Sequence, residues 1–280
     1  MSAQSITPEL RQWVAEQLAA GCAPEALAAR MCQAGWDASV AAQAVAAAPQ
    51  AAPGAAANAP QPGAMPGPDL TESPLLIDGG DRQVEVLLRL DHPRIVLLGS
   101  LLSPDECAGL IAAAAPRMER SRTVQTQTGG EEVNHDRTSD GMFFQRGETE
   151  LVRRIEARIA RLLRWPVDNG EGLQVLHYRP GAEYKPHYDY FDPDQAGTPT
   201  LLARGGQRVA TLIMYLNNPA KGGGTTFPDA GLQVAPRQGN AVFFGYARPH
   251  PDTRTLHGGA PVIEGEKWIA TKWLREREFN

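Results

Sequence analysis

From Leu173 to Leu274 the chain is cut into seven short apolar runs: Leu173–Tyr178, Tyr184–Tyr190, Val209–Leu216, Gly231–Ala235, Asn240–Tyr246, Thr255–Gly258 and Trp268–Leu274. Runs of this length bounded by turn residues predict strands. Residues 84–90 and 94–98 add two more strand-like runs upstream. Ser103-Pro104-Asp105-Glu106 opens a helix with a cap, a proline at N1 and early acids, and carries Leu110 and Ile111 onward. Glu148 to Leu163 is a second helix, with Leu151, Ile155, Ile159 and Leu162 on one face. The pattern predicts an α+β fold: an antiparallel sandwich or barrel with helices packed on one outer face.

Residues 48–70 are Ala, Pro and Gly with almost no charge. Such a stretch cannot bury a core and predicts a linker, which divides the chain into a module at 1–48, a linker at 49–70 and a larger domain at 71–280. The first module reads as three short helices. Thr7-Pro8-Glu9 starts one that carries Leu10, Val14 and Leu18 and stops at Gly21; Ala23-Pro24-Glu25 starts another, with Leu27 and Met31, that stops at Gly35; Asp37 caps a third through Val40 to Ala47. Only Arg11 and Arg30 are basic within the module, which disfavours a helix-turn-helix DNA reader.

The net charge of −5 and the absence of any apolar run of 18 residues argue against nucleic acid and against a membrane. Met1 to Leu10 shows no secretory signal, and three cysteines (Cys22, Cys32, Cys107) without metal spacing suit a reducing, cytoplasmic setting.

Chemistry concentrates at His187-Tyr188-Asp189. Side chains two apart on a strand share a face, so an imidazole and a carboxylate stand side by side there. One further histidine, with His257 the best placed, completes a two-His-one-carboxylate facial triad, the ligand set of non-heme Fe(II) oxygenases. Taken alone, His187 reads as a surface histidine and Lys267, ten residues after His257, as a solvated lysine. His177 and His250 read as structural or exposed. Trp268 and Trp273 face opposite ways on one strand.

The segments Glu171–Tyr178, His187–Phe191, Gly206–Thr211, Met214–Asn217, His257–Val262 and Gly265-Glu266-Lys267-Trp268 running into Thr271-Lys272-Trp273 resemble, in order and spacing, the prolyl 4-hydroxylases among the Fe(II)- and 2-oxoglutarate-dependent dioxygenases. Arg137-Thr138-Ser139-Asp140-Gly141-Met142-Phe143 fits the same family upstream. The resemblance spans roughly residues 80–280 and implies a double-stranded β-helix (jelly-roll) catalytic domain. It implies Fe(II) held by His187, Asp189 and His257, and 2-oxoglutarate gripped by Lys267 with Thr225 and Tyr178. It further implies O2 as the other co-substrate, ascorbate as a reductant, and a peptide groove lined by Tyr184, Arg208 and Trp273. The function implied is hydroxylation of peptidyl proline with release of succinate and CO2. Bland alternatives stay open: Thr225 bracing a glycine-rich turn, Tyr178 packing in the core, Arg208 forming a structural ion pair. So do oxidation of a small molecule, a nucleobase or another residue, and a binding module with a vestigial site. Asp192–Arg204 and Thr123–Glu132 are long enough to act as lids. Arg275 departs from the family, many members of which carry His there. Residues 1–48 resemble ubiquitin-associated helical modules, which implies a protein partner; an alanine-rich docking or dimerising appendage is the alternative.

Overall fold

The computed structural model describes residues 6–7, 10, 13–14, 17, 24–47, 64–121, 123–124, 131–132 and 137–280. They fall into two units, Met1–Ala59 and Pro60–Asn280. In the first, residues 10, 13–14 and 17 are helical, followed by α1 (Pro24–Gln33) and α2 (Ala38–Ala47). Val14, Leu27, Met31, Ala41 and Ala44 form its small core. Gly35, at φ +92°, makes the turn after α1, and the Asp37 carboxylate accepts from the Ser39 backbone N–H at the start of α2. Leu18 and the expected helix stop at Gly21 lie outside the described residues, as do 48–63 of the expected linker.

The second unit is built from strands β1 (Leu76–Asp78), β2 (Gln83–Leu90), β3 (Arg94–Gly99), β4 (Glu119–Arg120), β5 (Thr123–Val124), β6 (Glu131–Glu132), β7 (Asp140–Phe144), β8 (Leu173–Tyr178) and β9 (Tyr184–His187). It continues with β10 (Arg208–Tyr215), β11 (Lys221–Gly222), β12 (Thr225–Phe227), β13 (Leu232–Val234), β14 (Ala241–Gly245), β15 (His257–Gly259), β16 (Val262–Glu264) and β17 (Lys267–Arg275). Nine of these form one antiparallel sheet in the order β1-β2-β3-β14-β10-β17-β8-β7-β4, and β13-β12-β15-β9 form a second, smaller sheet. Two sheets of antiparallel strands with crossing connections make the double-stranded β-helix expected from the sequence. The Thr123–Glu132 stretch contributes the small ribbon β5–β6.

Strand alternation sorts the large sheet into two faces. Ala210, Leu212 and Met214 of β10, with Ala270 and Leu274 of β17, point to the outer face. There they meet α3 (Pro104–Ala114) and α4 (Glu150–Leu163) through Leu110, Ile155, Ile159 and Leu162. Ser103 and Glu106 close a capping box on α3, and Thr149 caps α4. Arg158 joins the two helices beneath the surface, donating to both Glu106 oxygens at 2.8 and 2.7 Å and to Asp81. The opposite face, with Ile213 and Tyr215 of β10 and Ile269 of β17, meets Phe227, Val234 and Val262 in a second core cluster. The site lies between the sheets on that inner side.

Residues 64–70, within the stretch whose composition suggested a linker, lie against this unit. Met65 and Leu70 pack on the outer core, and the Gly67 N–H donates to the Leu163 carbonyl at 2.8 Å. Asp69 pairs with Arg164 at 3.0 Å. Pro-Gly-Pro suits the berth physically: a Cβ on Gly67 would come within 2.1 Å of the Arg94 guanidinium, and prolines bring no N–H to satisfy. A fragment beginning at Ala64 is therefore expected to melt close to the full chain. One beginning at Thr71 loses the Met65 and Gly67 contacts, about 2 kcal/mol of burial, and should melt roughly 5 °C lower by calorimetry.

Candidate active site

β15 and β9 pair with His257 opposite His187. β9 ends at His187, and Asp189 sits in the bend just after it rather than on the strand itself. The carboxylate still reaches both rings: Oδ1 is 3.6 Å from His187 Nε2 and Oδ2 is 3.4 Å from His257 Nε2. One ligand atom from each residue lies within 4.8 Å of the others. Burial works to raise the Asp189 carboxyl, but the imidazoles of His257 and His187 override it and hold the group far below the usual carboxylate range. Burial pushes His257 down to about 4, against the pull of Asp189.

The donor set fits a divalent metal. The Nδ1 atoms of His187 and His257 lie 2.8 and 3.0 Å from the carbonyls of Lys185 and Thr255, which makes Nδ1 the protonated nitrogen and leaves each Nε2 lone pair facing the cluster. Thr211, on the inner face of β10, donates to Asp189 Oδ2 at 2.7 Å and lies 3.0 Å from the Tyr246 hydroxyl. Thus every ligand is oriented by a neighbour before any metal arrives.

A cavity runs from this cluster between the sheets. Its walls include the triad, Tyr178, Tyr184, Thr225, Lys267 and Trp273, together with apolar Leu176, Ile213 and Ile269. Lys267 pairs across β17–β8 with Tyr178, and its ammonium stands 5.3 Å from the centre of that ring. It is 2% exposed, and among the described residues no carboxylate pairs with it. Burial alone lowers its pKa to about 8. Gly223, at φ +70°, gives the side chain room, since a Cβ there would come within 3.2 Å of Lys267 Cδ. Tyr178 is buried too, which raises its hydroxyl pKa against the pull of Arg137 and Ser139. Thr225, at the start of β12 opposite Gly259 of β15, is 3% exposed.

Of the expected groove residues, Tyr184 stacks on the His187 ring at 3.7 Å, and Trp273 lines the cavity with its indole N–H lacking a partner among the described residues. Arg208 lies behind Trp273, 4.0 Å from the ring centre, and makes a two-pronged bond to Glu171 at 2.6 and 2.9 Å. Arg275 shares that carboxylate at 3.2 Å and donates to the carbonyls of Leu201 and Arg204. It thereby pins α5 (Thr198–Ala203), inside the segment expected as a lid, to the floor of the site. Sequence reasoning missed Thr211, Glu171, Tyr215 and the role of Arg137, whose guanidinium lies 5.0 Å over Tyr184. All sit within motifs noted above, but only the pairing of distant strands shows what they touch.

Residues 173–275 match the 2OG-Fe(II) oxygenase superfamily. The chain is 42% identical over 222 residues to prolyl 4-hydroxylase 5 of Arabidopsis thaliana, covering 72% of this chain and 74% of that protein. It is 44% identical over 202 residues to prolyl 4-hydroxylase 1 of the same plant, covering 66% and 70%. The chain belongs to the prolyl 4-hydroxylase family of 2-oxoglutarate- and Fe(II)-dependent oxygenases. A crystal structure of a viral collagen prolyl hydroxylase from Paramecium bursaria Chlorella virus-1 in complex with 2-oxoglutarate superposes with a TM-score of 0.51 at 32% identity. That match covers 65% of this chain and 95% of the viral one. This prolyl 4-hydroxylase family member is a dioxygenase that takes Fe(II) as its metal and 2-oxoglutarate and O2 as co-substrates, and the cavity holds donors suited to the first two.

The unpaired ammonium has a thermodynamic consequence. A lysine whose folded pKa lies near 8 rather than 10.5 favours the unfolded chain at every pH where it is charged, and the penalty fades as pH rises from 8 toward 10.5. Lys267→Met should therefore stabilise the ligand-free protein at pH 7, by on the order of 3 kcal/mol, and raise its melting temperature. The same variant should lose the stabilisation that 2-oxoglutarate gives the wild type in thermal-shift titrations. A variant less stable than wild type contradicts the unpaired charge.

Proposed function

We propose that this protein hydroxylates peptidyl proline at the His187–Asp189–His257 cluster, releasing succinate and CO2. The observation that carries the reading is the junction of a three-ligand cluster with an unpaired buried lysine along one cavity. A facial metal needs the first, and a dicarboxylate co-substrate needs the second. The prolyl 4-hydroxylase relatives and the viral enzyme support proline as the target.

In this reading His187 Nε2, an Asp189 oxygen and His257 Nε2 would hold Fe(II), which would supply the activation of O2; O2 is the oxidant, taking two electrons from the decarboxylation of 2-oxoglutarate and two from the substrate C–H bond, with one oxygen entering succinate and the other the substrate. Everything else falls to the protein. Thr211 donates to Asp189 Oδ2 and so fixes the plane of the carboxylate that would ligate the metal. Lys267 neutralises the distal carboxylate of 2-oxoglutarate, with Thr225 and Tyr178 donating beside it. Leu176, Ile213 and Ile269 keep water from that grip, which strengthens each charge-assisted bond. Tyr184 and Trp273 form the walls against which the peptide lies. Arg208, held by Glu171, backs Trp273 and fixes its plane. Residues 1–48 act as a separate module that binds a protein partner and raises its local concentration.

Asp189→Ala should abolish 2-oxoglutarate-dependent succinate formation while leaving the ligand-free melting curve cooperative, because the ligands sit beside a cavity rather than in either core. Thr211→Val should weaken Fe(II) binding by about ten- to a hundredfold without removing a ligand, read by metal titration. Wild-type turnover in the Asp189 variant would move the metal site elsewhere.

A further inference from the structure

β10 places three side chains on the inner face of the large sheet: Thr211, Ile213 and Tyr215. The first orients a metal ligand. Tyr215, the last residue of the strand, has no place in the reaction as described, yet it is fully buried and carries a polar group. Its hydroxyl lies 2.8 Å from Thr225 Oγ1, which is its only hydrogen-bond partner among the described residues.

The direction of that bond is determined by what each partner can do. A buried phenol with its proton unpaired is costly, and Thr225 Oγ1 is the only acceptor within reach, so Tyr215 donates. Thr225 then accepts, and its own proton must point elsewhere. No acceptor among the described residues takes it, and the residue lines the cavity together with Lys267. The bond also selects a rotamer. Thr225 sits on a strand with few χ1 choices, and anchoring Oγ1 to Tyr215 keeps the hydroxyl, not the methyl group, on the interior side.

We infer that Tyr215 is a positioning residue for the co-substrate: by donating to Thr225 Oγ1 it turns the Thr225 O–H toward the distal carboxylate of 2-oxoglutarate beside Lys267. This rests on the assignment of Thr225 to the co-substrate end of the cavity. One strand then serves both functions, because Thr211 and Tyr215 stand about 13 Å apart on the same face. The first aims a metal ligand and the second aims a co-substrate donor.

A double-mutant cycle on the full-length protein tests it, with 2-oxoglutarate binding measured by calorimetry on Mn(II)-loaded protein alongside steady-state kinetics. Tyr215→Phe should raise the 2-oxoglutarate Kd about tenfold, the range of a single oriented hydrogen bond to a charged group, and leave kcat at saturating co-substrate within about twofold. Thr225→Val should raise Kd at least as much, and Thr225→Ser, which keeps both halves of the relay, should stay within about threefold of wild type. The double variant should bind no worse than Thr225→Val alone, since Tyr215 acts only through Thr225. An unchanged Kd in Tyr215→Phe, or losses that add in full, overturns the relay. An unchanged Kd in Thr225→Val also overturns it, by showing that Thr225 does not touch the co-substrate. Stability gives a second reading that needs no ligand. Thr225→Val strands the Tyr215 proton, so adding Tyr215→Phe should raise its melting temperature; a further fall would mean that Tyr215 never donated to Thr225.

Discussion

The site depends on the register of β15 against β9. His257 stands opposite His187 across that pair, and Gly259 stands opposite Tyr184. Side chains alternate strictly along a strand, so a slip of one residue would turn His257 away from the cavity and leave two ligands where three are needed. The register is held from both sides of the small sheet, since β12 pairs with the other edge of β15 through Thr225–Gly259 and Thr226–Gly258. At Gly258 a Cβ would lie 2.9 Å from the Tyr184 carbonyl, so the strand approaches its neighbour too closely for any side chain there.

That precision is supported by a division of labour between the two faces of the large sheet. The outer face, under α3 and α4, carries most of the apolar burial and the Arg158–Glu106–Asp81 network. The inner face carries groups that cost stability. Lys267 is buried without a partner, and Glu171 must satisfy two guanidiniums at once, those of Arg208 and Arg275. A ligand that brings a carboxylate to Lys267 relieves an existing cost, so part of its affinity comes from strain already present in the ligand-free fold. Arg275 shows the same economy differently: its long side chain reaches two backbone carbonyls of the 198–204 segment and ties it down.

The motifs made much of this legible. His187-x-Asp189, His257 and Lys267 announce themselves by residue type and spacing, and the short alternating runs give the antiparallel architecture. What the sequence conceals is contact across strands distant in the chain. Nothing local tells that Thr211 bonds Asp189, that Tyr215 meets Thr225, or that Glu171 lies between two arginines. Alternation places Asp189 on a strand that in fact stops two residues earlier; its direction is set by Thr211 and the histidines instead. Composition likewise favoured a linker through residue 70, because proline and glycine mark flexible chain and tight backbone packing alike, and only the close approach of Arg94 to Gly67 distinguishes them. The segment after Asp192 has the length, prolines and glycine of a mobile lid, yet Arg275 holds it through backbone carbonyls, which carry no sequence signature.

The central claim is that the triad and the buried lysine serve one coupled oxidation of a peptide. Incubating the full-length protein with Fe(II), 2-oxoglutarate, a proline-containing peptide and isotopically labelled dioxygen, followed by mass spectrometry of both products, tests this most directly. One labelled oxygen should appear in succinate and one on the proline ring, in equal amounts. Label in succinate with none in any proline-containing peptide tried would contradict peptidyl proline as the substrate, and label in neither product would contradict the dioxygenase itself.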